Sequence, residues 1–179
     1  MKTLIIYCSR NGQTRKIANF IASILEVQQS CNVIDLLKVN NINIDWTQYD
    51  RILIGVSIYY GHFNPILMKF ITQYQNQLNE RINGLFSVSL VARKTNNYIP
   101  TNNSYIYKFL KKSPWRPDCC AMFAGALCYP NYCWFERIMI QCIMRITGRE
   151  TDTSKEVEYT NWNQVVIFSN YFLQLSKIA

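Results

Sequence analysis

Four apolar runs, Thr3 to Tyr7, Asp50 to Ser57, Leu85 to Val91 and Ala121 to Leu127, constrain this chain more than any other feature. The run Ile52-Leu53-Ile54-Gly55-Val56 lacks the polar alternation of a strand with one wet face, so both of its faces are expected to be covered. Between the runs, apolar residues recur at helical spacing: Ile17, Phe20, Ile21, Ile24 and Leu25, then Leu67, Phe70, Ile71, Tyr74 and Leu78 behind Pro65, and finally Trp162, Val165, Val166, Ser169, Phe172 and Leu173. Cys31 to Leu36 reads as a further short strand, second in chain order. Ser104 to Lys112 reads as a helix closed by Trp115-Arg116-Pro117. Strand and helix thus alternate without a repeat or an interior linker. That alternation predicts an α/β fold: a five-stranded parallel sheet with helices on both faces, in one domain over residues 1–179.

A sheet of this kind takes its ligand outside the carboxyl ends of its strands. Polar loops at residues 8–14, 57–62 and 92–98 all fall on that edge. The first, Cys8-Ser9-Arg10-Asn11-Gly12-Gln13-Thr14, passes from strand to helix. Gly12 permits a tight turn and close backbone approach, and Ser9, Asn11 and Thr14 add donors beside a positive helix end, a combination suited to a phosphate. No lysine follows the glycine in the Walker pattern, so a nucleoside triphosphate with magnesium is poorly supported. The plainer alternative is a capped helix start with no ligand. A phosphate held in the first loop would place an attached planar ring between the other two, where Tyr59, Tyr60 and His62 offer aromatic surface. Tyr59 and Tyr60 read equally well as ordinary pocket or core aromatics, and His62 as a partner for the backbone.

The net charge of +8, on a chain in which 17% of residues are charged, favours anionic partners: nucleic acid, an acidic membrane surface or a polycarboxylate. The seven cysteines, at positions 8, 31, 119, 120, 128, 133 and 142, are odd in number and include no Cys-x-x-Cys. With His62 the single histidine, reduced thiols are expected and a metal site is not. Cys119-Cys120 is expected to start a buried strand rather than form a redox pair. An N-terminus that is already a core strand, with only Lys2 before it, implies no signal peptide and a cytoplasmic chain.

The segment of about 128–149 is too long and too apolar for an ordinary strand-to-helix connection. On a helix from Trp134 to Thr147, Arg137, Gln141 and Arg145 form one narrow polar stripe, while Trp134, Phe135, Ile138, Met139, Ile140, Cys142, Ile143, Met144 and Ile146 cover the rest. The run is shorter than the ~20 residues needed to cross a bilayer. It suits an interfacial helix, a lid over an apolar substrate or a dimer contact; the alternative is a helix packed on the core by its widest face.

Taken together, the first loop, Gly55-Val56-Ser57-Ile58-Tyr59-Tyr60-Gly61-His62, Leu90-Val91-Ala92-Arg93-Lys94, Trp115-Arg116-Pro117-Asp118 and Gly148 to Val157 carry a resemblance over practically the whole chain. The set resembles the flavodoxin-like, menaquinone-dependent protoporphyrinogen IX dehydrogenases of bacteria. The resemblance implies a flavodoxin-like three-layer sandwich with an amphipathic insert before the last helix, and non-covalent FMN. It implies oxidation of protoporphyrinogen IX to protoporphyrin IX in haem synthesis, with electrons passed to menaquinone or ubiquinone at the cytoplasmic face of the inner membrane. Ser9, Arg10, Asn11, Gly12, Gln13 and Thr14 would then hold the FMN phosphate. Ser57, Ile58, Tyr59, Tyr60, Gly61 and His62 would border the ring, and Leu90, Val91, Ala92 and Arg93 would line its other side. Arg93, Lys94, Arg116, Tyr129, Trp134, Phe135, Arg137, Ile138 and Arg145 are the candidates for substrate or membrane contact. The chain departs from the family pattern where Cys128, Asn131 and Cys133 replace arginines, and where Asn11 stands for a common aspartate.

Hydride abstraction by a flavin asks the protein for orientation and water exclusion, with His62 the one weak candidate for a proton relay. Two other classes compete. A soluble flavodoxin-type electron carrier or quinone reductase is disfavoured by the basic charge. A basic lipid- or nucleic-acid-binding module without cofactor rests on that charge alone, and no nucleic acid is expected.

Overall fold

The computed structural model describes residues 1–39, 43–59, 61–93, 104–128, 138 and 156–177. Strands β1 (Lys2–Cys8), β2 (Ser30–Asp35), β3 (Arg51–Ser57), β4 (Ile82–Ser89) and β5 (Cys119–Ala124) form one sheet in the order β2-β1-β3-β4-β5. All of its pairings are parallel. Alternate residues of each strand point to opposite faces, which divides the apolar runs between two cores. Ile5, Tyr7, Leu53 and Phe86 face α1 (Gln13–Leu25) and α5 (Trp162–Gln174), meeting Ile17, Ile21, Leu25, Val165, Phe168 and Phe172. Leu4, Ile6, Ile52 and Ile54 face the other side, against Leu67, Phe70 and Ile71 of α2 (Pro65–Gln73), Leu78 of α3 (Gln75–Glu80), and Phe109 of α4 (Ser104–Lys112) with Trp115. Gly55 is required on β3 because a Cβ there would stand 2.1 Å from Cζ of Phe86, its neighbour in register on β4.

Several boundaries differ from those expected. The helix behind Pro65 breaks at Tyr74 (φ −115°, ψ 23°), whose ring packs against Phe70 and Trp46, and so becomes α2 and α3. The second strand runs from Ser30 to Asp35 rather than from Cys31 to Leu36. The fourth strand begins at Ile82, not Leu85, and ends at Ser89, leaving Leu90–Arg93 as a 3-10 turn. Asn83-Gly84 looks like turn sequence, yet both residues pair with β3, because the fully buried Asn83 side chain finds partners. Its Nδ2 donates to the carbonyls of Leu78 and Arg81 at 2.9 and 2.8 Å, and its Oδ1 accepts from the Trp115 indole at 2.9 Å. The expected run from Ala121 to Leu127 also divides. Cys119 and Cys120 do open β5, but the strand stops before Gly125, and Ala126–Cys128 leaves the sheet as β6. There it pairs antiparallel with β7 (Glu156–Glu158), a small ribbon the sequence did not announce.

At the amino edge of the sheet, the buried Arg51 donates to the carbonyls of Phe172 and Leu175 at 2.6 and 2.7 Å. It thereby ties the end of α5 to β3 and leaves the opposite, carboxyl edge to the loops.

Candidate cofactor site at the carboxyl edge

The first loop begins where β1 ends at Cys8. Ser9 Oγ accepts the Gly12 N–H at 3.1 Å, and Gly12 adopts φ 88°, ψ −22°, a left-handed conformation that glycine adopts without the Cβ penalty. This turn starts α1 directly, and Lys16 N–H makes the first intrahelical bond, to the Gly12 carbonyl. No side chain caps the helix and no acidic residue occupies its first turn. The leading backbone N–H groups and the positive end of the helix are thus directed to the same point beyond the sheet, with Ser9 and Asn11 beside them. Thr14 is buried beneath the loop. The Gln13 side chain points elsewhere: its Nε2 donates to Thr160 Oγ1 at 2.8 Å and Glu158 Oε1 at 3.1 Å, so its contribution to an anion is its main chain.

The second loop is a tight hairpin. Tyr59 and His62 exchange backbone hydrogen bonds of 3.0 Å in each direction, with Gly61 at φ 79° turning the corner. A Cβ on Gly61 would come within 2.7 Å of the Tyr105 ring. Ser57 Oγ lies 3.5 Å from the Cys8 carbonyl, beside the first loop. Arg10 reaches across, its guanidinium carbon 3.9 Å from the centroid of the Tyr59 ring. The two loops expected to form a site therefore converge, with His62 exposed at the rim.

Other expected residues have different placements. Ile58 and Ala92 are buried in a small core with Ile106, Met122 and Ala124, so their side chains support the loops from below. Leu90 packs with Tyr59 against the buried Leu127 of β6. Arg93 belongs to the turn after β4. Arg116, expected toward substrate or membrane, stands instead at the amino edge, just before β5. Its Nη1 donates to the Leu110 and Ser113 carbonyls and thereby closes the C-terminus of α4. Tyr60, Lys94, Tyr129, Trp134, Phe135, Arg137 and Arg145 lie outside the described residues, as does the body of the insert; Ile138 is described and exposed.

Sequence reasoning missed one cluster beside the first loop. Lys16 Nζ meets Glu158 Oε2 at 2.6 Å, Gln13 bridges Glu158 and Thr160, and Thr160 Oγ1 donates to the Ala124 carbonyl at the end of β5. The first turn of α1 is thereby joined to the ribbon that brackets the insert. Glu158 is pushed up by desolvation, but hydrogen bonds from Lys16 and Gln13 and the Lys16 charge outweigh that and hold it below the usual carboxylate range. Nothing in the sequence marks this pairing, since its partners are far apart in the chain.

Among the described residues, nucleophilic chemistry has no support. Burial, with the Asp35 charge second, pushes the Cys8 thiol up to about 12, far from the thiolate form. The same burial drives the buried Cys119 to about 12 and the half-buried Cys120 to about 11, as structural thiols rather than a reactive pair. No group of side chains among the described residues is arranged to hold a metal ion.

A doubly wound parallel sheet in the order 2-1-3-4-5, carrying a glycine turn into an uncapped helix at the carboxyl end of its first strand and an aromatic hairpin after its third, defines a flavodoxin-like protein. A family model described as a flavodoxin domain matches residues 4–154, and the chain belongs to that family. Oxidised flavodoxin 1 from Bacillus cereus superposes with a TM-score of 0.56 over 98% of this chain and all of that one, at 16% identity, a likeness of fold. Much greater likeness is found to proteins named protoporphyrinogen IX dehydrogenase [quinone]. One from Escherichia coli K12 is 46% identical over 177 residues, covering 98% of this chain and 97% of that protein. Another, from Leishmania major, is 39% identical over 176 residues, covering 97% of this chain and 75% of its relative.

Proposed function

We propose that this chain is an FMN-dependent protoporphyrinogen IX dehydrogenase that passes electrons to a membrane quinone. The observation that carries the reading is identity of 46% along essentially the entire length of a relative bearing that name. The site geometry agrees with it. The donor set at α1 fits a phosphate monoester: an uncapped helix end, a glycine in the left-handed region, and neighbouring hydroxyl and amide groups with no carboxylate in the loop. The backbone N–H groups of Gln13 and Thr14, with Ser9 and Asn11, would hold that phosphate, and Tyr59, with His62 at the rim, would border the ring.

Bound FMN supplies acceptance of a hydride, two electrons and a proton together, which no side chain of this chain can provide. The chain's own work is to bind, orient and exclude water. Tyr59, packed with Leu90 and Val157 against the buried Leu127, gives the site an apolar floor, and His62 stands where a proton could be exchanged with solvent. The quinone, menaquinone or ubiquinone, belongs to the bilayer. No helix among the described residues is long and apolar enough to cross a membrane. Peripheral attachment at the cytoplasmic face through the insert of residues 128–149, within one domain of residues 1–179, completes the proposal. The exposed Ile138 and the charge of +8 support it.

The deciding experiment is turnover of protoporphyrinogen IX by protein reconstituted with FMN, followed by porphyrin fluorescence, with a quinone in liposomes as acceptor. Quinone-dependent porphyrin formation is expected. A protein that binds FMN yet leaves protoporphyrinogen untouched would reduce it to an electron carrier of flavodoxin type.

A further inference from the structure

The first turn of α1 has no side-chain cap, so its aim depends on tertiary anchors. Gln13, the residue that opens the helix, donates from Nε2 to Thr160 Oγ1 at 2.8 Å and to Glu158 Oε1 at 3.1 Å. Lys16, three residues on, meets Glu158 Oε2 at 2.6 Å, with its Nζ 5.4 Å from the centroid of the Trp162 ring. Thr160 in turn donates to the Ala124 carbonyl at 2.8 Å. Ala124 ends β5, an edge strand separated from β1 by β3 and β4. The turn that follows β1 is thereby fastened to the far edge of the sheet through one short stretch, Glu158 to Trp162.

That stretch is itself held in place. Glu158 pairs with Ala126 in the β6–β7 ribbon, the Tyr159 N–H donates to the Gly125 carbonyl at 3.1 Å, and Asn161 caps α5. The Trp162 side chain adds a hydrogen bond to the Glu158 carboxylate.

We propose that Thr160 is a positioning residue for the flavin phosphate, acting through Gln13. The inference rests on the FMN reading above. Gln13 has two ends in this arrangement: its backbone N–H is one of those assigned to the phosphate, while its side chain is gripped by Thr160 and Glu158. Gripping the side chain restricts the backbone to the orientation that binds, so part of the ordering is complete before the phosphate arrives. The coupling is reciprocal: a bound phosphate that fixes Gln13 also steadies the stretch that grips it. A hydroxyl suits position 160 because it accepts from Gln13 and donates to Ala124 at once.

The test uses the full chain and substitutions that leave every charge in place, so that a change in affinity reports geometry and not the field around the loop. Parent, Thr160→Ser, Thr160→Val, Gln13→Ala and the double variant Gln13→Ala/Thr160→Val are titrated with FMN by quenching of flavin fluorescence. Thermal unfolding of each apo-protein checks folding. Thr160→Val and Gln13→Ala should each bind FMN about two- to tenfold more weakly, the range for one lost neutral hydrogen bond, while Thr160→Ser stays near the parent. In the Gln13→Ala background Thr160→Val should add little, because its effect runs through the missing amide. Hydrogen exchange at the Tyr159 amide should slow when FMN binds the parent, and respond less in Gln13→Ala. Parental affinity in Thr160→Val would overturn the proposal. So would an equal loss from Thr160→Val with and without the Gln13 side chain, which would mark a general effect on the fold. Should Thr160→Val fail to fold, Gln13→Ala decides: parental FMN affinity, or exchange at Tyr159 that is indifferent to FMN, would overturn it. A parent that binds no FMN would remove the cofactor reading, and this proposal with it.

Discussion

Replacing Gly12 with alanine separates backbone geometry from side-chain bulk at the phosphate loop. At φ 88° an L-residue meets its own carbonyl, at a cost of roughly 1–2 kcal/mol. The surroundings add nothing, because the nearest atom to a Cβ there is an Arg15 guanidinium nitrogen at 3.9 Å, an ordinary contact. Alanine also stiffens the unfolded chain, which returns about 0.4–1 kcal/mol. The net loss in the apo-protein is therefore on the order of 1 kcal/mol, or roughly 2–4 °C in Tm for a domain of this size. Flavin binding should suffer more. If the strain is relieved by rotating Gly12 out of the left-handed region, the leading N–H groups of α1 turn away from the anion. Each charged hydrogen bond lost costs roughly 1.5–3 kcal/mol, about tenfold to a hundredfold in affinity. Asparagine tolerates left-handed geometry, so Gly12→Asn should fall between parent and alanine, and the β-branched Gly12→Val should be worst. Titration of apo-protein with FMN and thermal unfolding without it supply the two readings. An alanine variant with parental affinity and parental Tm would refute the assignment of the anion to this turn.

Asn83→Leu should lower stability by about 2–4 kcal/mol, because it strands the buried Trp115 indole N–H and two carbonyls; denaturant unfolding measures it. FMN affinity of the folded protein should not change, since that network lies at the far edge of the sheet. Glu158, held below its usual pKa, stabilises the fold above the ordinary glutamate value of ~4.3, and that contribution is lost as pH falls through its lower folded value. The pair with Lys16 is largely exposed, so the effect is below about 1 kcal/mol; a Glu158→Gln variant should show a flatter Tm profile in that acidic window. Native protein treated with iodoacetamide near pH 8 should leave Cys8, Cys119 and Cys120 unlabelled in peptide mass spectra, because burial keeps them protonated. Changing Trp134, Phe135 and Ile138 together to serine should release the protein from anionic liposomes and slow reduction of bilayer quinone while sparing a soluble acceptor; flotation at the parental level would remove the insert from the membrane.

Local chemistry determined much of this protein before any contact was known. Burial on both faces is written into Ile52-Leu53-Ile54, and the helical period of Ile17, Ile21 and Leu25 into α1, because each depends on neighbours a few residues away. The turn at Gly12 was legible for the same reason: a glycine between a strand and a helix has few other uses. Tertiary structure decided what depends on partners distant in sequence. Asn83-Gly84 reads as a turn and becomes a strand only because Leu78, Arg81 and Trp115 satisfy the buried amide. Arg116 follows a helix whose direction carries it to the amino edge, away from the loops, and no local pattern reveals that direction. The β6–β7 ribbon, the Lys16–Glu158 pair and the seat of Arg10 on Tyr59 each join segments remote in the chain. Their geometry follows from strand register and helix packing, which the whole fold sets and no single stretch encodes.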